Sequence, residues 1–177
     1  MGFFDKLFGG SSAKQTAPVR PEALSVATAA GTVYAPIAGR VEVTDAIPDP
    51  VFAQEMMGKT VAIWPSDGTV YAPVSGTVVS AMPHAIGLAG DDGVEVLIHV
   101  GIDTVMLNGE GLSAFAKQGD RVRAGQPVIE FDSALMAEHG IDMTVATVLL
   151  DAPDKHVEQP ALGSQVTRGA DVVVAYR

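Results

Sequence analysis

Two short patterns each occur twice in this chain, and they limit its fold more than any other feature. Val33-Tyr34-Ala35-Pro36-Ile37-Ala38-Gly39-Arg40-Val41 returns as Val70-Tyr71-Ala72-Pro73-Val74-Ser75-Gly76-Thr77-Val78. Gly119-Asp120-Arg121-Val122-Arg123-Ala124-Gly125 returns as Gly163-Ser164-Gln165-Val166-Thr167-Arg168-Gly169. A strand-like apolar run follows both copies of the second pattern, at 128–131 and 172–175. Short β-rich runs punctuated by Gly and Pro read as strands joined by turns. The copies keep no constant period, so stacked solenoid repeats are excluded. The expectation is an all-β antiparallel sandwich or barrel with pseudo-two-fold internal repeats.

Strand candidates fall at 31–36, 39–44, 60–65, 69–72, 75–81, 84–89, 94–100, 127–131, 144–150 and 171–176. Two short helices are expected. One covers 111–118; the other covers 133–139, with Asp132 or Ser133 as its N-cap and Gly140 as its stop. Only 18% of residues are charged, against 19 Gly and 11 Pro, which agrees with many turns. A length of 177 residues suits one domain with a tail.

The tail is expected at 1–30 and the domain at 31–177. Phe3, Phe4, Leu7 and Phe8 lie on one side at helical spacing. Two readings stay open for 1–10: a weak amphipathic foot for a membrane surface or a partner, and a frayed terminus. From 9 to 30 the chain is rich in Gly, Ser, Ala, Thr and Pro and reads as a flexible linker.

Charge and sulfur narrow the function. The net charge is −10 with no Lys/Arg cluster, which argues against nucleic acid and favours basic partner surfaces. There is no Cys, so thiolate chemistry and disulfides are excluded. No run approaches the ~20 apolar residues of a membrane span, and no leader pattern opens the chain. A cytoplasmic location is the expectation.

His84 and His99 are the candidate reactive residues. Along 94–100 side chains alternate, so Val94, Val96, Ile98 and Val100 should be core while Glu95, Leu97 and His99 share the other face. A two-residue turn at Asp92-Gly93 makes paired residue numbers sum to 185 and sets His84 diagonal to His99; a turn at Asp91-Asp92 gives 183 and faces them directly. A three-residue loop would put them on opposite faces. Two adjacent imidazoles suit phosphoryl transfer, one as nucleophile and one as hydrogen-bond donor to the moving group. Paired structural histidines are the alternative. His139 and His156 read as solvent-exposed, Trp64 as core, and Met56-Met57-Gly58 as core or loop packing, with docking surface as the alternative.

The block 93–105, Gly-Val-Glu-Val-Leu-Ile-His-Val-Gly-Ile-Asp-Thr-Val, followed by Leu107 and Gly109-Glu110-Gly111, resembles the signature of the glucose-type IIA domain of the bacterial phosphoenolpyruvate-dependent sugar phosphotransferase system. Pro48-Asp49-Pro50-Val51-Phe52, Ala72-Pro73-Val74-Ser75-Gly76-Thr77, His84-Ala85-Ile86 and Gly119-Asp120-Arg121-Val122 match too, so the resemblance runs from about Gly31 to Arg177. It implies the antiparallel sandwich of the duplicated hybrid motif. It implies a phosphotransferase component that accepts a phosphoryl group from HPr on His99 and passes it, with help from His84, to the IIB domain of a sugar permease, glucose being the family-level sugar. Asp49, Val51, Phe52, Leu97, Asp103 and Val105 match positions of the docking face, and Asp103 reads equally as a turn residue. No resident cofactor is implied; zinc would enter only in a partner complex, on His84, His99 and a partner carboxylate. The family often has Thr two residues before the first histidine, where Met82 stands here, so one hydroxyl hydrogen bond of about 1 kcal/mol is missing.

Three other classes compete with this reading or accompany it. A zinc hydrolase on a similar scaffold needs a His-x-His pair, which the chain lacks. A biotin or lipoate carrier needs a lysine at a hairpin tip, and Lys6, Lys14, Lys59, Lys117 and Lys155 have no such setting. A regulatory module switched by phosphorylation is compatible with the carrier.

Overall fold

Each copy of the first pattern folds into a strand, a turn and a second strand, and pairs with a copy of the second pattern and the strand that follows it. The computed structural model describes residues 18–150 and 156–177. Its strands are β1 Thr32–Tyr34, β2 Gly39–Glu42, β3 Gly58–Pro65, β4 Thr69–Tyr71, β5 Gly76–Met82, β6 Ala85–Gly90, β7 Glu95–Val100, β8 Leu112–Ala114, β9 Arg121–Val122, β10 Pro127–Phe131, β11 Val145–Leu150, β12 Val157–Glu158, β13 Gln165–Val166 and β14 Val172–Tyr176. Helices α1 Pro50–Ala53 and α2 Ser133–Glu138, with 3-10 turns at Thr44–Ala46 and Thr104–Leu107, complete it. The expected all-β antiparallel class is correct.

The largest sheet runs β13-β2-β3-β11-β7-β6-β5-β9, and two small sheets run β1-β14-β12 and β4-β10-β8. That order is a palindrome. β1-β2 pairs with β14-β13 in the way that β4-β5 pairs with β10-β9. The pseudo-two-fold axis therefore passes between β11 and β7. Val33, Ile37, Ile63, Val70, Leu88, Ile98, Ile129 and Val174, all fully buried, belong to the core between the sheets.

The helix expected at 111–118 is a correction. Leu112, Ser113 and Ala114 pair with Phe131, Glu130 and Ile129, and Phe115 N–H continues the ladder to Val128 O at 2.8 Å. β8 is the pseudo-symmetric counterpart of β12, and the free edge of β10 outweighs the local helical spacing. The second helix does form: Asp132 accepts from Ala134 and Leu135 N–H, and Gly140 adopts φ +67° just past its end.

The linker reading also differs from the structure over 18–30. This stretch has no regular structure, but Leu24 N–H bonds to Gly125 O at 2.8 Å and Arg20 bonds to Pro127 O. Leu24 and Val26 lie against Gly125 and Gly169, the closing glycines of the two copies, where a Cβ would meet them at 3.1 Å or less. The foot expected at 1–10 lies outside the described residues.

One core group is unpaired. Thr147 on β11 is fully buried between Val61 and Ile98, and its hydroxyl has no hydrogen-bond partner among the described residues. Thr147→Val keeps the shape and removes the desolvated hydroxyl. Its expected effect is a gain of about 1 kcal/mol, read from denaturant unfolding. A loss of stability would mean that the hydroxyl is satisfied in solution.

Candidate functional site

Strand β7 alternates as its residues require. Val96, Ile98 and Val100 are buried in the main core, while Glu95, Leu97 and His99 face outward. Register then sets the neighbours of His99. Met82 pairs with Ala85, Ala85 with His99, His99 with Ala146, and Ala146 with Ala62. Directly paired residues share a face, so His99 lies in a row whose nearest members are alanines. That shallow floor is covered by α1. Asp49 caps this helix by accepting from Val51 N–H at 2.8 Å, and Pro50 supplies the fixed φ of the first turn. Phe52 is thereby held 5.0 Å from the His99 ring, tilted by 51°, within an outer apolar cluster that includes Ile47, Ile102, Ala62 and Ala146.

The hairpin register is a correction. Ala85↔His99 through Ala89↔Glu95 give a sum of 184, and Gly90 N–H bonds to Val94 O across the three-residue loop Asp91-Asp92-Gly93. Neither expected two-residue turn occurs. Gly93 takes φ +84°, the left-handed closing position of a three-residue hairpin loop. Strict alternation would now separate the histidines, yet their rings are 5.1 Å apart at 67°. The reason is that His84 is not a ladder residue on β6. It occupies the tight turn Pro83-His84 between β5 and β6, where the pleat no longer dictates side-chain direction. The bond from Val100 N–H to His84 O at 2.8 Å ties that turn to the end of β7.

The polar contacts of His99 define its reactive atom. Nδ1 lies 2.8 Å from Gly101 O. A carbonyl only accepts, so Nδ1 carries the proton and Nε2 keeps its lone pair. Gly101 adopts φ +65°, and Thr104 closes the same turn by donating to Val100 O at 2.7 Å. Burial pushes the His99 pKa below its ordinary value, and the neighbouring His84 charge acts the same way. The Gly101 bond and the charges of Asp49 and Asp103 oppose this without reversing it. Burial also lowers the His84 pKa. In both rings burial therefore favours the neutral form.

These depressed values have a stability consequence. The unfolded chain takes up protons on both rings near the ordinary pKa of about 6.5, while the folded protein resists them. Stability is then level above that value and falls as the pH drops below it. The expected result is a denaturation midpoint that decreases more, from about pH 7.5 to about pH 5.5, in the wild type than in His84→Gln/His99→Gln. Equal decreases would refute this.

The remaining expected residues surround the pair unevenly. Val51 and Val105 are exposed, Leu97 is half-buried, and Phe52 is buried at 5% and acts as a wall of the His99 site. Asp103 sits at φ +60° without a side-chain capping bond, so it is a turn residue whose charge reaches His99. Trp64, expected in the core, is 44% exposed, because its position on β3 faces outward like that of Ala62. His139 and His156 are exposed at the end of α2 and before β12. Sequence reasoning missed Gly101 O and exposed Met106; only the Asp49-Pro50 dipeptide signalled α1. Among the described residues no third His, Asp or Glu joins His84 and His99 to form a metal-binding group. Among them also, no helix is long and apolar enough to cross a membrane.

Residues 31–155 match the family described as phosphoenolpyruvate-dependent sugar phosphotransferase system, EIIA 1. The glucose-specific EIIA component of Halalkalibacterium halodurans is 41% identical over 155 residues, covering 86% of this chain and 84% of that protein. The β-glucoside-specific EIIBCA component of Dickeya chrysanthemi is 42% identical over 141 residues, 78% of this chain. The chain spans about a fifth of the length of such fused relatives. Among solved structures, the glucose permease IIA from Mycoplasma capricolum superposes with a TM-score of 0.74 at 35% identity, covering 81% of this chain and 93% of that one.

Proposed function

This chain belongs to the EIIA 1 family of the phosphoenolpyruvate-dependent sugar phosphotransferase system, and we propose that it carries a phosphoryl group on Nε2 of His99 from HPr to the IIB domain of a sugar permease. The observation that carries this reading is the Nδ1–H bond of His99 to Gly101 O at 2.8 Å, with His84 beside the ring. A fixed tautomer aims one lone pair outward and takes up the developing positive charge on the ring without proton transfer.

In the first step Nε2 bonds to phosphorus as the donor's nitrogen–phosphorus bond breaks, and the donor imidazole leaves with that electron pair. In the second step an acceptor on IIB attacks phosphorus and His99 leaves, again neutral. His84 donates an N–H to a phosphoryl oxygen during transfer, where such a donor stabilises developing charge. The apolar wall of Phe52 keeps water from the labile nitrogen–phosphorus bond. The group carried is the phosphoryl itself, so no resident cofactor takes part. Glucose is the proposed sugar, following the names of the free-standing relatives. The cytoplasm, which holds phosphoenolpyruvate, is the proposed compartment.

The test is phosphorylation with phosphoenolpyruvate, Enzyme I and HPr, followed by intact mass and phosphorus NMR. One acid-labile phosphoryl group on Nε2 is expected. A phosphate on Nδ1, or none, would overturn the assignment.

A further inference from the structure

The described methionines divide into two groups. Met136 and Met143 are buried in the core, whereas Met56, Met57, Met82 and Met106 are 68%, 42%, 44% and 76% exposed. Those four come from three separate elements, each linked to the histidine pair through the row of His99, the turn after β7 or helix α1. Met82 stands in the row of His99, two strands away, or about 10 Å at ordinary strand spacing. Met106 belongs to the 3-10 turn that follows β7 and lies three residues beyond Asp103, whose charge reaches His99. Met56 and Met57 follow α1, and Met56 N–H bonds back to Val51 O at 3.0 Å, in the helix that carries Phe52. The chain has no Cys, so thioethers are its only oxidisable sulfur.

We propose that this methionine rim is a modification site at which peroxide-class oxidants form methionine sulfoxide and slow phosphoryl hand-over. The inference rests on the carrier reading. A peroxide oxygen bonds to the thioether sulfur as the O–O bond breaks. The sulfur is oxidised by two electrons, and the departing hydroxide takes the proton shed by the sulfur-bound oxygen and leaves as water. The product replaces a flexible apolar surface with a polar one, and a methionine sulfoxide reductase restores it. A partner closing over His99 would then have to bury a sulfoxide dipole against an apolar wall.

The test compares transfer from phospho-HPr before and after hydrogen peroxide, with the sites of oxidation read by peptide mass. Oxidation at 56, 57, 82 and 106 ahead of 136 and 143 is expected. So is a fall of about tenfold in kcat/KM, reversed by methionine sulfoxide reductase. The variant Met56→Leu/Met57→Leu/Met82→Leu/Met106→Leu, judged against its own untreated rate, should be insensitive to peroxide. An undiminished rate in fully oxidised wild type, or an equal loss in the leucine variant, overturns the proposal. If that variant does not fold, reductase rescue of the wild type decides, because irreversible loss assigns the damage elsewhere. Untreated wild type that accepts no phosphate is the separate failure of the carrier reading.

Discussion

His99→Ala is expected to accept no phosphoryl group from phospho-HPr, a loss of at least about a thousandfold, because the covalent step has no other nucleophile in place. His84 is near but does not share the Nδ1–H bond to a backbone carbonyl that presents Nε2 as a lone pair in His99. The fold should survive the change. His99 faces the outer side of the sheet, its row neighbours are alanines, and the main core lies on the opposite face. A circular dichroism spectrum like that of the wild type, with no gain of mass after incubation with Enzyme I and HPr, is the expected pair of observations. Acid-labile phosphate on a folded His99→Ala would move the nucleophile to His84.

His84→Ala should separate the two halves of the transfer. Acceptance is expected within a few-fold of wild type, since Nε2 of His99 and its tautomer do not depend on His84. Delivery to IIB is expected to fall about a hundredfold, the usual scale for removing one charge-stabilising donor. Single-turnover delivery from the phosphorylated variant measures this directly, and delivery at the wild-type rate would remove His84 from the mechanism. A pH profile adds an independent reading. Burial and the His84 charge lower the His99 pKa. Without His84 that pKa rises, so the acid limb of acceptance, where His99 is protonated and inert, moves to higher pH. An unmoved limb would show that the His84 charge does not act on His99.

The repeats were legible in the sequence because each copy is a local signal of strands and turns, and the palindromic sheet order arises because each copy of the first pattern pairs with a copy of the second. Helix α2 was legible because its cap and its stop are adjacent residues. Segment 112–114 was not, because its conformation is decided by the open edge of β10 and not by its own spacing. Helix α1 was overlooked as well, although Asp49-Pro50 is a start signal; four residues leave too little periodicity to notice.

The sequence by itself determined which face of β7 carries His99, since alternation is a property of neighbouring residues along one strand. It also marked the chemistry, since only a few side chains can hold a phosphoryl group. The meeting of the two histidines was decided by tertiary structure. A one-residue change in hairpin register reverses every face, and the observed register would have parted them had His84 lain on the ladder. The site is built where the pseudo-symmetry fails. Ala146 pairs with His99 across the axis, the β5–β6 connection is the two-residue turn that holds His84, and its counterpart between β2 and β3 is the long connection that holds Phe52. Those three positions are far apart in the chain, and only the closed sheet brings them to one imidazole.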